Sequence, residues 1–343
     1  MLRIAIITPT KNADYLTESL IDGVLDLVAS GVAIELRFLA GYPHPFGEEA
    51  DQYGLDETAF VPYAMEADLI FLCYRYKELN ISLAKKINRW DKTIFVDGSE
   101  YKHNNRFDFK IQRDVVAGTY TGHGCIHADM RGLCGLYLRR EKPYAEGIVP
   151  FPFGIERRYV RYTPDIKKDI DFVCIFGQDE YPLMRKYARE LLVAFCKKNN
   201  FTYVIEKTEG FAYDDKKIAG RDTFYDTLAR AKVGISIGGG GFDTLRFWET
   251  LANNCELITE RVDIFQIESQ TLSYKRIHEC NNLFDFQFYL EKLGTQIRES
   301  YDHHAGNQEY KEIIMNHSTK ARVITVLHEA QARGLISELP RGL

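Results

Sequence analysis

No stretch of the 343 residues approaches the ~18 consecutive apolar residues of a membrane-spanning helix. The chain opens MLRIAIITPT, an apolar run too short for a secretory leader, and this reads as a first strand. A paired cysteine framework is also missing. The 7 Cys are odd in number and scattered, which argues against a disulfide scaffold and fits a reducing cytoplasm. Low-complexity tracts and repeats of solenoid period are absent, which argues against disordered and solenoid classes. Positive charge is in deficit: 44 Lys and Arg against 49 Asp and Glu leave a formal net charge of −5. That balance weighs against a nucleic-acid backbone as the main partner. The one cluster resembling metal ligands, His123, Cys125, His127 and Cys134, matches no zinc spacing, and no obligatory metal is expected.

What is present describes a globular α/β protein. Hydrophobic residues make up 45% and charged residues 27%. A chain of 343 residues is long for a single core, so two domains are expected. The 21 Tyr and 21 Phe serve core packing, and they also suit stacking on the rings of bases or sugars.

One stretch organises the rest: Val233 to Thr259, VGISIGGGGFDTLRFWETLANNCELIT. Val233 to Ile237 is a β-rich run, followed at once by Gly238, Gly239, Gly240 and Gly241. Consecutive glycines between regular elements point to close approach of some group to the backbone. Asp243 is a good N-cap for the helix that follows. At about 100° per residue, Leu245, Phe247, Trp248, Leu251 and Ala252 share one face, with Asp243, Arg246, Glu249 and Thr250 on the other. The expectation is a buried apolar face, an exposed polar stripe, and a helix N-terminus aimed into the glycine loop as an anion site. An ordinary glycine turn before a surface helix explains the same pattern.

In chain order, Leu2–Thr8 reads as a strand, Tyr15–Val28 as a helix stopped by Gly31, and Val32–Leu39 as a second, parallel strand. Gly41–Tyr63 reads as irregular. Leu69–Tyr74, Thr93–Val96 and Val115–Tyr120 read as strands, with a helix over Leu79–Trp90. Ile148–Phe153 reads as an edge strand, and the charged Gly154–Lys168 as an interdomain linker. A second alternation follows: strand Phe172–Phe176 ending at Gly177, helix Met184–Lys197, strand Phe201–Ile205, helix Asp222–Arg230 capped by Asp222, then the organising stretch. A late helix surrounds Phe286–Ile297, and Ser318 caps a last helix. The fold class is α/β, with two tandem Rossmann-like domains. The expected boundaries are residues 1–155, a linker at 156–169, a second domain at 170–317, and a C-terminal helix at 318–343 packing back on the first domain.

Several segments resemble the GT-B glycosyltransferases of the CgeB-like and exostosin-like group. The most specific is GGGGFDTLRFWETLANNCELIT, with YLRREKPYAEGIVPFPFGI, KDIDFVCIFG and NHSTKARV in support. The chain departs from that group at Asn253-Asn254, where a Gly turn is usual; Asn tolerates the left-handed conformation. The resemblance implies transfer of a sugar from a nucleotide-sugar donor to the hydroxyl of a carbohydrate or other acceptor, without a further cofactor. It implies a diphosphate at Gly238, Gly239, Gly240 and Gly241 and the helix start at Asp243-Thr244. It further implies phosphate contacts from Arg246, ribose contacts from Glu249, and donor approach over Gly177. A base for an inverting reaction would come from the first domain, with Asp97 and His123 as candidates after strands. Glu249 and Glu256 miss by one the spacing of about eight found in retaining members, so stereochemistry stays open. Asp169-x-Asp171 precedes a strand and reads as a charge pair at the domain entry rather than a metal motif. Two other readings stay open: another nucleotide-sugar enzyme such as an epimerase, and a non-catalytic two-domain binding protein. The expected location is cytoplasmic, with peripheral membrane contact left open.

Overall fold

The computed structural model describes residues 1–9, 14–75, 78–99, 113, 117, 126–141, 146–177, 183–206, 215–239, 241–262, 264 and 272–343. His123, Cys125, Gly240 and most of the strand expected over 115–120 lie outside the described residues. The described residues fall into two compact units. One draws on Met1–Glu100, Phe107–Gly154 and His317–Leu343, the other on Ile155–Asn316.

The first unit is built on a sheet with strands β1 (Leu2–Ile7), β2 (Ile34–Leu39), β3 (Gly54–Leu55), β4 (Leu69–Arg75), β5 (Glu78–Leu79), β6 (Thr93–Asp97), β7 (Leu136–Arg139) and β8 (Ile148–Pro150). Its order is β3-β2-β1-β4-β6-β7-β8, all parallel, with β5 joined antiparallel to β4. Strands β1 and β6 are near-continuous apolar runs because both faces of a parallel sheet are covered by helices. Helix Tyr15–Ala29 starts at Asp14, whose carboxylate accepts the Thr17 N–H at 2.9 Å. The region read as irregular contains helix Glu57–Met65, capped by Asp56. Pro62 sits inside that helix and disguises it. The last helix, Thr319–Ala332, is capped by Ser318 and packs on Tyr15–Ala29. Gly23 permits that approach, since a Cβ there would lie 2.5 Å from the Thr319 carbonyl oxygen.

The second unit has five parallel strands: β9 (Ile170–Ile175), β10 (Tyr203–Glu206), β11 (Ala231–Ser236), β12 (Glu256–Glu260) and β13 (Ile277–Cys280), in the order β10-β9-β11-β12-β13. Its core joins Phe172, Cys174, Val233, Ile235 and Ile258 of the sheet to Leu192, Phe286 and Leu290 of the covering helices. Asp222 lies inside helix Asp215–Ala229 and not at its start. Its carboxylate instead pairs with Arg161.

The segment expected to be a linker without a buried face is fastened to this second unit. Tyr159 and Tyr162 are buried, as are Glu156 and Lys168. Asn253 is the tie. Its Oδ1 accepts the Arg161 and Tyr162 N–H groups at 3.0 and 3.2 Å. Its Nδ2 donates to the Tyr159 and Glu249 carbonyls at 2.8 and 2.9 Å. Asn254 follows with φ of 54°, the left-handed turn anticipated for this pair.

Two stability predictions follow from these contacts. Asn253→Ala strands the buried Tyr162 N–H and the part-buried Arg161 N–H, and unsatisfied groups of this kind cost about 1–3 kcal/mol each. Denaturant unfolding should show a loss of about 3 kcal/mol, and limited proteolysis should cut within 156–168 first. His317 is buried beside Arg322, whose Nη2 lies 2.9 Å from its Nδ1. Burial first, and the Arg322 charge second, lower its pKa to about 3. The unfolded ring binds a proton at about pH 6.5, and the folded ring refuses it down to about 3, so this residue erodes stability as pH falls through that window. A His317→Gln variant should therefore lose less Tm than the parent between about pH 6.5 and 4 in thermal melts.

Candidate functional site

In the second sheet β9 lies between β10 and β11, so the chain leaves β9 first to one side and later to the other. Ligands of open α/β sheets gather at such a switch point, outside the carboxyl ends of the strands. Phe176-Gly177 follows β9 there, and Ile237-Gly238-Gly239 follows β11.

Three guanidinium groups converge on this edge, each anchored by a strand-end carbonyl. Arg246 Nε donates to Ile175 O at 2.6 Å. Arg189 Nη2 donates to Phe176 O at 2.8 Å. Arg185 donates through Nε to Gly238 O at 3.0 Å and through Nη2 to Ile237 O at 3.0 Å. The Phe176 ring lies 5.1 Å from the Arg185 guanidinium carbon and 4.9 Å from that of Arg189. Arg246 covers the Phe224 ring at 4.2 Å. Such stacking fixes the planes of the forks. Burial first, and the nearby Arg246 charge second, lower the pKa of Arg185 to about 10, while Glu260 opposes the shift. A half-buried cluster of like charges is costly alone and favours an anion with several oxygens.

Gly239 makes room for this cluster. A Cβ there would sit 2.6 Å from Arg185 Nη2. The close approach anticipated from the glycine run is thus made by the protein's own guanidinium. Two loop amides are already engaged: Gly238 N–H donates to Glu260 Oε2 at 2.8 Å, and Gly239 N–H to Gly241 O at 3.0 Å.

The helix after the loop differs from its expectation. It spans Leu245–Leu251 with Thr244 as N-cap, only seven residues, so the arginines and not a helix dipole supply the positive field. Asp243 does not cap it; its Oδ1 accepts the Trp248 Nε1–H at 2.8 Å. Thr244 Oγ1 meets Ser236 Oγ at 2.9 Å. The polar stripe is not exposed: Asp243, Thr244, Glu249 and Thr250 are all buried. Glu249 is 2% exposed and its carboxylate is paired with Arg246. A charge buried this deeply needs its partner, so Glu249 stands in an ion pair and not on an exposed stripe.

The other sequence candidates lie elsewhere. Asp97 ends β6 of the first sheet with its carboxylate wholly buried. Oδ2 accepts from Arg139 Nη1 at 2.9 Å and from the Tyr137 hydroxyl at 2.5 Å, and Oδ1 from Ser99 N–H at 2.9 Å. The carboxylate of the residue expected as a base is thus engaged by an ion pair and two further donors. Asp169 and Asp171 stand at the opposite, amino-terminal edge of the second sheet, paired with Arg230 and Lys232. Among the described residues no group of three His, Cys, Asp or Glu side chains is arranged to hold a metal ion. No described helix is long and apolar enough to cross a membrane.

No family model matches the chain, and no curated protein matches it in sequence. Solved structures do match in fold. A glycosyltransferase from Rickettsia africae ESF-5 aligns over 97% of this chain and 98% of its own, at 9% identity and a TM-score of 0.57. An alpha-glucosyltransferase in complex with UDP aligns over 97% and 100%, at 9% identity and a TM-score of 0.58. Anabaena HepE in complex with UDP aligns over 97% and 100%, at 11% identity and a TM-score of 0.53. The fold is therefore the α/β GT-B architecture, two Rossmann-like units in tandem.

Gly239→Ala tests the seating of Arg185. Because the clash falls on the tip of a flexible side chain, Tm should change by no more than a degree or two, while Arg185 is pushed off the loop. Calorimetric titration with inorganic pyrophosphate should show affinity about tenfold below the parent. Unchanged affinity would mean that the seat of Arg185 does not matter for anions.

Proposed function

We propose that this protein is a glycosyltransferase that takes a nucleotide sugar as donor and passes the sugar to an acceptor hydroxyl. The observation that carries the reading is the set of three arginines anchored on the strand-end carbonyls at the switch point of the second sheet. Forked donors held in fixed planes suit the oxygens of a diphosphate bridging nucleoside and sugar. In this reading Arg185, Arg189 and Arg246 meet the diphosphate, and Gly177 leaves room beside Phe176. Gly239 seats Arg185, and Glu249 orients Arg246 from below. The fold is that of solved glycosyltransferases, two of which hold UDP. The narrower kinship with the CgeB-like and exostosin-like group rests on the segments around GGGGFDTLRFWETLANNCELIT and KDIDFVCIFG. An alpha-glucosyltransferase of this fold was solved with UDP and a 13-mer DNA. The net charge of −5 here favours a carbohydrate or small-molecule acceptor instead.

The deciding experiment is binding and turnover with UDP-, GDP-, CMP- and dTDP-sugars. A matching donor should raise Tm, and turnover should leave nucleoside diphosphate and a glycosylated acceptor. Arg246→Ala should weaken the donor by about one to two orders of magnitude and leave the free nucleoside untouched. Glu249→Gln should follow the same pattern and also lower Tm, because its partner loses a buried counter-charge. Loss of nucleoside affinity in the Glu249 variant would restore the ribose role. If no sugar nucleotide binds, the reading fails.

A further inference from the structure

The carboxyl end of β12 brings one more charge to this edge. Glu260 is buried, its Oε2 accepts the Gly238 N–H at 2.8 Å, and its field acts on Arg185, the guanidinium seated on the next glycine. A carboxylate thus occupies the first amide of the loop and shares the cation that a phosphate would meet. The consequence depends on how ligand charge changes in the reaction, so the inference rests on the glycosyltransferase reading.

In sugar transfer the bond between the anomeric carbon and the terminal phosphate oxygen breaks, and its electron pair stays on that oxygen. The acceptor oxygen bonds to the carbon and its proton departs to solvent. The intact donor carries one negative charge on each esterified phosphate. The released diphosphate has a free terminal phosphate whose second proton leaves at about pH 6, so the product gains nearly one further charge at neutral pH. A fixed carboxylate beside the seat repels the product more than the donor.

We propose that Glu260 is a specificity-determining residue that weakens the hold of the second unit on the released nucleoside diphosphate relative to the intact donor, and so hastens product release. A loop-shaping role alone predicts something different, because a glutamine keeps the acceptor oxygen for Gly238 N–H and removes only the charge.

The test is calorimetric binding of UDP, UDP-glucose, GDP, GDP-mannose and inorganic pyrophosphate to the parent, Glu260→Gln, Glu260→Ala and Arg185→Ala. Glu260→Gln should bind pyrophosphate and the matching nucleoside diphosphate about tenfold more tightly, and the sugar nucleotide about threefold more tightly at most. Glu260→Ala should move the same way by a smaller amount, having also lost the amide acceptor, and it serves if the glutamine variant folds poorly. Equal or weaker diphosphate affinity in both variants, or an equal gain for donor and product, overturns the inference while leaving the donor site standing. If the parent binds none of the five ligands, or Arg185→Ala binds them as the parent does, the donor-site reading itself falls and this inference with it.

Discussion

The pairing of Glu249 with Arg246 is the interaction on which the switch-point edge of the second sheet depends. Its helix is closed on both faces. Phe247 and Trp248 are buried with the apolar side, and on the polar side Thr244 meets Ser236 while Thr250 lies against Gly234, both of β11. A carboxylate in that position survives only with a cation beside it. Arg246 is held by its pairing with Glu249 and by stacking on the Phe224 ring, and its Nε–H donates to the end of β9. The burial of Glu249 and the direction of the Arg246 guanidinium are tied together by the same ion pair.

Much of the framework was legible in the sequence. Periodicity alone marked β1, β9 and β11, the first and last helices, and the tandem α/β class, because buried parallel strands must be apolar throughout. The left-handed turn at Asn254 was readable from residue type. The errors have a common cause. A projection at about 100° per residue separates polar from apolar, but it does not separate solvent from a polar interior, and so Glu249 and Asp243 were placed outside. Asp243 looked like a cap because its true partner, the Trp248 indole, is reached only after the helix has formed.

Arg185 and Arg189 were overlooked for a different reason. They sit some fifty residues upstream of the glycine run, and only the parallel pairing of β9 with β11 brings them to it. A signal was present: two arginines four apart in the first turns of the helix after KDIDFVCIFG share one face and aim at the end of that strand. Asp97 shows the converse. Its place at a strand end was right, but the neighbouring strand supplies Arg139 and Tyr137, which claim the carboxylate.

The glycine at 239 has a genealogical consequence. Its lack of a side chain makes room for another side chain of the same molecule, so the two positions are coupled. In a lineage that shortened residue 185, the advantage of a glycine at 239 would lapse, and the glycine run would be free to erode from that position even if its flanks stayed intact. A search for kin that insists on the full run would therefore miss cousins whose cation arrives from somewhere else. A search on the pair of positions would find them.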